Sequence, residues 1–180
     1  VSALQSAYGT DFGTSSYEGY RKTAKWYLYM VANSGLSFTY GDNNASVDIV
    51  PTMFYFSTLF DDPTLPYFEM QAAEKGQVKT GGVRTPTGTT ESARTYPLIL
   101  LWASKYENST YSLPTDKVFA ATDGKQPVVV ARTGWSPEDQ YLAIKGGQAD
   151  LGHAHMDAGS FCYEAHGYRW VTDFLQDEYA

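Results

Sequence analysis

The chain reads as an α+β protein in which a helical part precedes a β part. Two observations carry this. Up to about residue 110 the apolar residues recur at three- and four-residue steps, whereas after Leu113-Pro114 they alternate in short runs rich in Val, Phe, Tyr and Trp. The turn signals change with them, from isolated Gly and Pro breaks to Asp-Gly, Gly-Trp-Ser-Pro and Gly-Gly between the runs. The expected organisation is a helical domain over residues 1–110, a toroid or bundle of paired helices with aromatic faces, and a partial two-layer β-sandwich over residues 111–180.

In the helical part, Tyr20, Ala24, Tyr27, Leu28 and Val31 mark one face of a helix over Tyr17 to Val31, with Ser15 or Ser16 as cap and Glu18 in the first turn. Leu36 to Tyr40 alternates and runs into Gly41-Asp42-Asn43-Asn44, which predicts a short extended segment and a turn outside the main sheet. Pro51 opens a second helix that ends at Phe60, and Asp61-Asp62-Pro63 leads into a third over Leu65 to Glu74. Residues 81–88 form a Gly/Thr/Pro loop, and the apolar run from Tyr96 to Ser104 closes the part.

The β part contains five candidate strands: Lys117 to Ala121, Val128 to Thr133, Gln140 to Lys145, Gly159 to Ala165 and Tyr168 to Phe174. His166-Gly167 is a two-residue turn between the last two. Pairing Ala165 with Tyr168 sets Asp173 opposite Ser160. It also puts Ser160, Cys162, Glu164, Arg169, Val171 and Asp173 on one face, with Phe161, Tyr163, Trp170 and Thr172 on the other.

Composition narrows the function classes. The formal charge of −7, with 13 scattered Lys and Arg, argues against a nucleic-acid partner. No apolar run is long enough to span a membrane. A single Cys162 rules out an internal disulfide framework and reads as a small buried hydrophobe. The 15 Tyr and 4 Trp supply flat side chains with a polar handle, as carbohydrate-handling surfaces and cores both use. The opening Val1-Ser2-Ala3-Leu4 reads like the middle of a helix, so the chain is expected to be part of a longer protein.

Chemistry concentrates in Gly152-His153-Ala154-His155-Met156-Asp157-Ala158-Gly159-Ser160-Phe161, since all three histidines of the chain lie between 153 and 166. A loop entering a strand can turn two imidazoles and a carboxylate toward one point, with Gly152 and Gly159 giving the backbone freedom. Such a cluster binds a metal or moves protons. His166, at the turn, falls outside it, and Asp157 is placed to orient His155.

This run, followed by Ala165-His166-Gly167-Tyr168-Arg169-Trp170-Val171-Thr172-Asp173 and then Tyr179, resembles the heparinase II/III-like family of polysaccharide lyases. Val128 to Trp135 and Tyr141 to Gly147 look like that family's strands leading into the motif. Tyr17 to Ala24 and Gly35 to Phe38 look like the end of its (α/α) toroid. The resemblance spans essentially the whole chain and implies the C-terminal part of a toroid followed by the first strands of an antiparallel β-sandwich. It implies β-elimination in a uronic-acid polysaccharide, glycosaminoglycan-like or alginate-like, in the bacterial periplasm or cell envelope. A base takes the proton from C5 while the oxygen on C4 leaves, and the neighbouring carboxylate must be neutralised.

By the same resemblance His153 matches the catalytic histidine of the sandwich side. His155 and Asp173 match two ligands of a structural divalent metal, zinc first and calcium second, that is completed by a further His absent from this chain. The base Tyr and the neutraliser match a region upstream of Val1, so the fragment is expected to be inactive by itself. Arg132 and Tyr179 are candidate substrate contacts, and a homodimer is an open expectation. Two rivals stand beside the lyase. A metallo-β-lactamase-like hydrolase also uses His-x-His-x-Asp, but that motif continues with His where this chain has Ala158. A non-catalytic carbohydrate-binding module would draw on the Tyr and Trp content.

Overall fold

A computed structural model describes residues 1–43, 45, 47, 49–74, 97–106, 110–148, 150 and 155–173. It is mixed α+β, with five helices and one five-stranded antiparallel sheet among the described residues. The chain divides into two compact units, Val1–Leu28 with Asp48–Leu113, and Tyr29–Val47 with Pro114–Ala180. The change of period at Pro114 therefore coincides with a boundary. The second unit also takes in the segment 29–47, which periodicity alone leaves with the helices.

The first unit is helical: α1 (Ser2–Tyr8), most of α2 (Glu18–Met30), α3 (Thr52–Phe60), α4 (Tyr67–Glu74) and α5 (Pro97–Trp102). The expected serine caps of α2 are otherwise engaged. Ser15 Oγ donates to Asp11, and Ser16 Oγ donates to the Gly13 carbonyl at 2.6 Å, within a short 3-10 turn over Thr14–Ser16. The helix starts instead on the Tyr17 carbonyl, which accepts from Tyr20 N at 3.0 Å and Arg21 N at 3.3 Å. Pro51 opens α3 as its cap residue, and Asp61 closes it in the left-handed region at φ 51°. Asp62 then accepts from Thr64 N at 2.9 Å and Thr64 Oγ1 at 2.6 Å, which turns the chain toward α4. Met53, Phe54, Phe56 and Leu65 form the core, and Tyr20 meets Phe56 and Phe60 edge-on. The loop 81–88 lies outside the described residues.

The second unit is built on the sheet β1 (Val118–Ala121), β2 (Val128–Arg132), β3 (Tyr141–Lys145), β4 (Phe161–Ala165) and β5 (Tyr168–Val171), ordered as in the sequence. All five agree with the alternation in the sequence. His166 and Gly167 both have positive φ, 54° and 76°, the geometry of the tight turn expected between β4 and β5.

One register detail differs. Glu164 pairs with Arg169, but Tyr163 pairs with Val171, so Trp170 is an extra residue in β5. Val171 thereby joins the face of Tyr163, and Thr172 Oγ1 comes within 3.3 Å of the buried Thr39 Oγ1. Two-residue periodicity cannot register an inserted residue. The residues beyond Asp173 in the expected last strand lie outside the described ones.

On the inner face Val128, Val130, Tyr141, Ala143 and Cys162 are buried. Segment 29–39 lies against that face with Val31, Ala32, Phe38 and Thr39 buried; it is joined to itself by a bridge between Val31 and Ser37 rather than added as a strand. The outer face is apolar and exposed: Val129, Ile144 and Phe161 lie in one register row across β2, β3 and β4.

One carboxyl of the first unit is buried in a way that makes its contribution to stability depend on pH. Glu69 on α4 is 2 % exposed and its Oε2 has no hydrogen-bond partner. Burial raises its pKa to about 8, only partly offset by backbone hydrogen bonds of Glu69 and Val50. Because the folded pKa is the higher one, the folded chain holds a proton that the unfolded chain releases. Stability is then highest below the unfolded value of 4.5 and falls as the pH rises to about 8. The expected slope is up to about 1.4 kcal/mol per pH unit. Urea unfolding midpoints between pH 5 and pH 8 measure it, and Glu69→Gln should flatten the decline; an equal decline in that variant would show that Glu69 ionises freely in the folded chain.

Candidate functional site

The site is assembled on the loop that enters β4 and on the turn Gly41-Asp42. Inward positions of the sheet carry three charges, Arg132, Lys145 and Glu164, all buried with the apolar core residues of the same face. A buried charge is tolerated only when it is paired and hydrogen-bonded. Each of these is hydrogen-bonded to segment 29–43 or to the loop that carries His155, although the Arg132 Nε is buried without a hydrogen-bond partner.

Arg132 is 6 % exposed. Its guanidinium donates to Asn33 Oδ1 at 3.0 Å and to the Tyr29 and Val31 carbonyls at 3.1 Å, beside the C-terminal end of α2. A cation there complements the helix dipole. The guanidinium also lies 3.6 Å from the centroid of the Trp135 ring. Burial lowers its pKa to about 10, which leaves it charged at neutral pH. The expected substrate contact is thus packed beneath the chain, with Nη1 on the Asn33 side chain and Nη2 on two backbone carbonyls.

Glu164 accepts from Ser34 N at 2.8 Å, Ser34 Oγ at 2.7 Å and Arg169 Nε at 2.7 Å. Arg169 continues to the Ser37 and Leu36 carbonyls at 3.0 and 3.3 Å. Tyr141, between Arg132 and Glu164 in the same cross-strand row, donates its hydroxyl to the Tyr29 carbonyl at 3.1 Å. Cys162 is buried and its thiol is pushed up to about 11 by desolvation, so it is an inert core residue, as its place in the alternation indicates.

Lys145, at the inner end of β3, is fully buried and forms an ion pair with Asp157 Oδ1. The other Asp157 oxygen accepts from Gly41 N at 2.7 Å. Asp157 is therefore the anchor of the His loop, tied to both the sheet and the turn. The carboxylate that meets His155 is instead that of Asp42, whose Oδ1 lies 2.6 Å from His155 Nε2. Between the two contacts the backbone is unusual: His155 and Met156 are consecutive non-glycine residues with positive φ, 49° and 56°. Such conformations cost energy and persist where the surroundings over-determine them.

Among the other expected site residues, Asp173 is half-buried and accepts from Ser160 Oγ at 2.7 Å, so β4 and β5 bring its carboxylate to the residue that precedes β4. His153 and Tyr179 lie outside the described residues. Among the described residues no three of His, Cys, Asp and Glu converge as a metal site. His155 and Asp173 meet different partners, and the described residues by themselves do not make up a zinc centre, which takes four ligands when structural.

No protein-family model and no curated protein matches this sequence. The reading of the site therefore rests on its residues and their geometry.

Two residues of the site, Lys145 and Asp42, were not singled out from the sequence. Lys145 had a signal: it follows Tyr141 and Ala143 at the inward positions of an alternating strand, where a cation demands a buried acid. Asp42 had none, because its contact with His155 crosses 113 positions of chain.

Two expected outcomes follow from this geometry. Lys145→Met leaves Asp157 buried beside an apolar side chain and should lower stability by about 3–5 kcal/mol in urea unfolding. The double variant Lys145→Met/Asp157→Asn should recover part of that loss, and additive losses would show that the two groups are not coupled. Met156 is 84 % exposed, so Met156→Gly removes left-handed strain and little packing; it should raise the unfolding free energy by about 1 kcal/mol or less, while a loss would place Met156 in a contact of its own.

Proposed function

We propose that this chain is part of a polysaccharide lyase of the heparinase II/III-like type, acting on uronic-acid chains such as glycosaminoglycans or alginate by β-elimination. The observation that carries the reading is the run Gly152 to Phe161 continued through the His166-Gly167 turn to Asp173. The rigid anchoring of its described part supports it, since eliminating groups must be held in position to act. In this reading the helical unit is the end of an (α/α) toroid and the sheet is one layer of a sandwich. The exposed apolar row Val129, Ile144 and Phe161 supports the latter, being a surface that a second sheet would cover.

His153 is the catalytic residue of this reading, matching the family's histidine on the sandwich side. Arg132 serves the site through the frame it holds, and Tyr179 remains a proposed substrate contact. A divalent metal, zinc first, would have a structural part only: His155 and Asp173 offer two ligands, so its affinity for this chain alone is low. The parent protein acts on an acidic polysaccharide in the periplasm or cell envelope, with no nucleic-acid partner. A non-catalytic carbohydrate-binding role has one observation in its favour, the exposed Tyr168 and Trp170 rings, with centroids 6.1 Å apart on β5.

Elimination needs a base and a carboxylate neutraliser as well as His153, and the resemblance puts both upstream of Val1. Positioned acid–base groups contribute about 10²–10⁴-fold each and preorganised charge a similar factor. The parent should therefore generate unsaturated, ultraviolet-absorbing ends from heparan sulfate, hyaluronan or alginate, and this chain should not. A folded His153→Ala parent should lose the activity. Sugar binding by the parent without new unsaturated ends would replace the lyase with the binding module, and activity in the 180-residue chain would move the catalytic groups into it.

A further inference from the structure

We propose that Asp42 is the positioning residue of His155: it holds the Nε2 proton and so makes Nδ1 the nitrogen that is free to take a proton or a ligand. The functional importance of His155 rests on the reading above, but the Asp42 contact does not.

Three features of the structure lead to this assignment. Asp42 Oδ1 is 2.6 Å from His155 Nε2, with both side chains about 30 % exposed, at 30 % and 29 %. A carboxylate is an acceptor only, so a neutral imidazole facing it must present a protonated Nε2, and the lone pair then sits on Nδ1. Second, the two sides of the contact are not independently mobile. Gly41, the neighbour of Asp42, donates to Asp157 Oδ2 at 2.7 Å, and Asp157 is fixed on the other side by the fully buried Lys145. The carboxylate and the ring are therefore held by a second, buried link one residue from Asp42 and two from His155. Third, His155 and Met156 both keep a left-handed backbone between these links, which sets the direction in which the ring leaves the main chain. A contact formed only by chance between two surface side chains would not need that backbone.

The arrangement parallels the general way in which a histidine that handles protons or ligands is oriented, with one ring nitrogen engaged by a carboxylate so that the other is presented in a single tautomer. Here the orienting carboxylate comes from a turn far away in sequence, and the nearer candidate, Asp157, is used to fasten the loop.

The test is the ring-nitrogen spectrum of the 15N-labelled 180-residue chain at about pH 8, where ordinary imidazoles are neutral. The His155 signals are assigned by their loss in His155→Gln. The expected result is a ratio of Nε2–H to Nδ1–H tautomer about tenfold above that of the exposed His166, the size of effect that a charge-assisted hydrogen bond produces. In Asp42→Ala, with the fold checked by its amide spectrum, the ratio should fall to that of His166. A wild-type ratio equal to that of His166 overturns the proposal without any variant, and so does an unchanged ratio in folded Asp42→Ala. Neither result involves substrate, so an inactive parent would count against the lyase reading and leave this one standing.

Discussion

The second unit depends on one constraint, which is that a sheet with charged residues on its buried face must find opposite charges and polar backbone to put against them. Arg132, Lys145 and Glu164 point the same way as Val128, Val130, Ala143 and Cys162. Desolvating them carries a penalty of several kcal/mol per ion, which a covering layer of lipid-like side chains could not offset. Segment 29–43 offsets it with main-chain groups turned toward the sheet: the carbonyls of Tyr29, Val31, Leu36 and Ser37, and the amides of Ser34 and Gly41. Each side thus supplies what the other lacks. The result is specific as well as stable, because a shift of the segment by one residue would face carbonyls where amides are needed.

This explains why the helix-to-strand reading is good in outline and incomplete in three places. Strand alternation is a local property, and Val128 to Arg132, Tyr141 to Lys145 and the His166-Gly167 turn could all be read directly. The extended segment after α2 was legible too, but its burial was not. Thr39 is fully buried, and nothing local in Leu36-Ser37-Phe38-Thr39-Tyr40 says that a threonine at that point meets Thr172 instead of water. The serine caps of α2 failed for a related reason: Asp11 and the Gly13 carbonyl compete for the same hydroxyls, and the sequence does not rank the competitors. The inserted Trp170 is the third case, since a bulge leaves the composition of a strand unchanged.

At the candidate site the residue types were legible while the pairings were not. A His-x-His-x-Asp loop with a glycine on each side marks a candidate site from sequence alone. Which carboxylate serves which group was decided elsewhere, by Lys145. A fully buried ammonium draws in the nearest carboxylate that the core can reach, and that is Asp157. With Asp157 committed inward, its neighbour His155 is left facing outward, where the turn that donates Gly41 N to the same carboxylate also presents Asp42.

The strain in the loop fits the same logic. Two successive left-handed residues without glycine at either position would relax in an unconstrained loop, since glycine at no cost in packing is available to evolution at the exposed Met156. Here relaxation would have to break a buried ion pair at one end or a carboxylate–imidazole contact at the other. The backbone energy is small beside the penalty of leaving Lys145 unpaired in the core, so the strained form is the one the clamps select. A ring carried on such a loop samples few orientations.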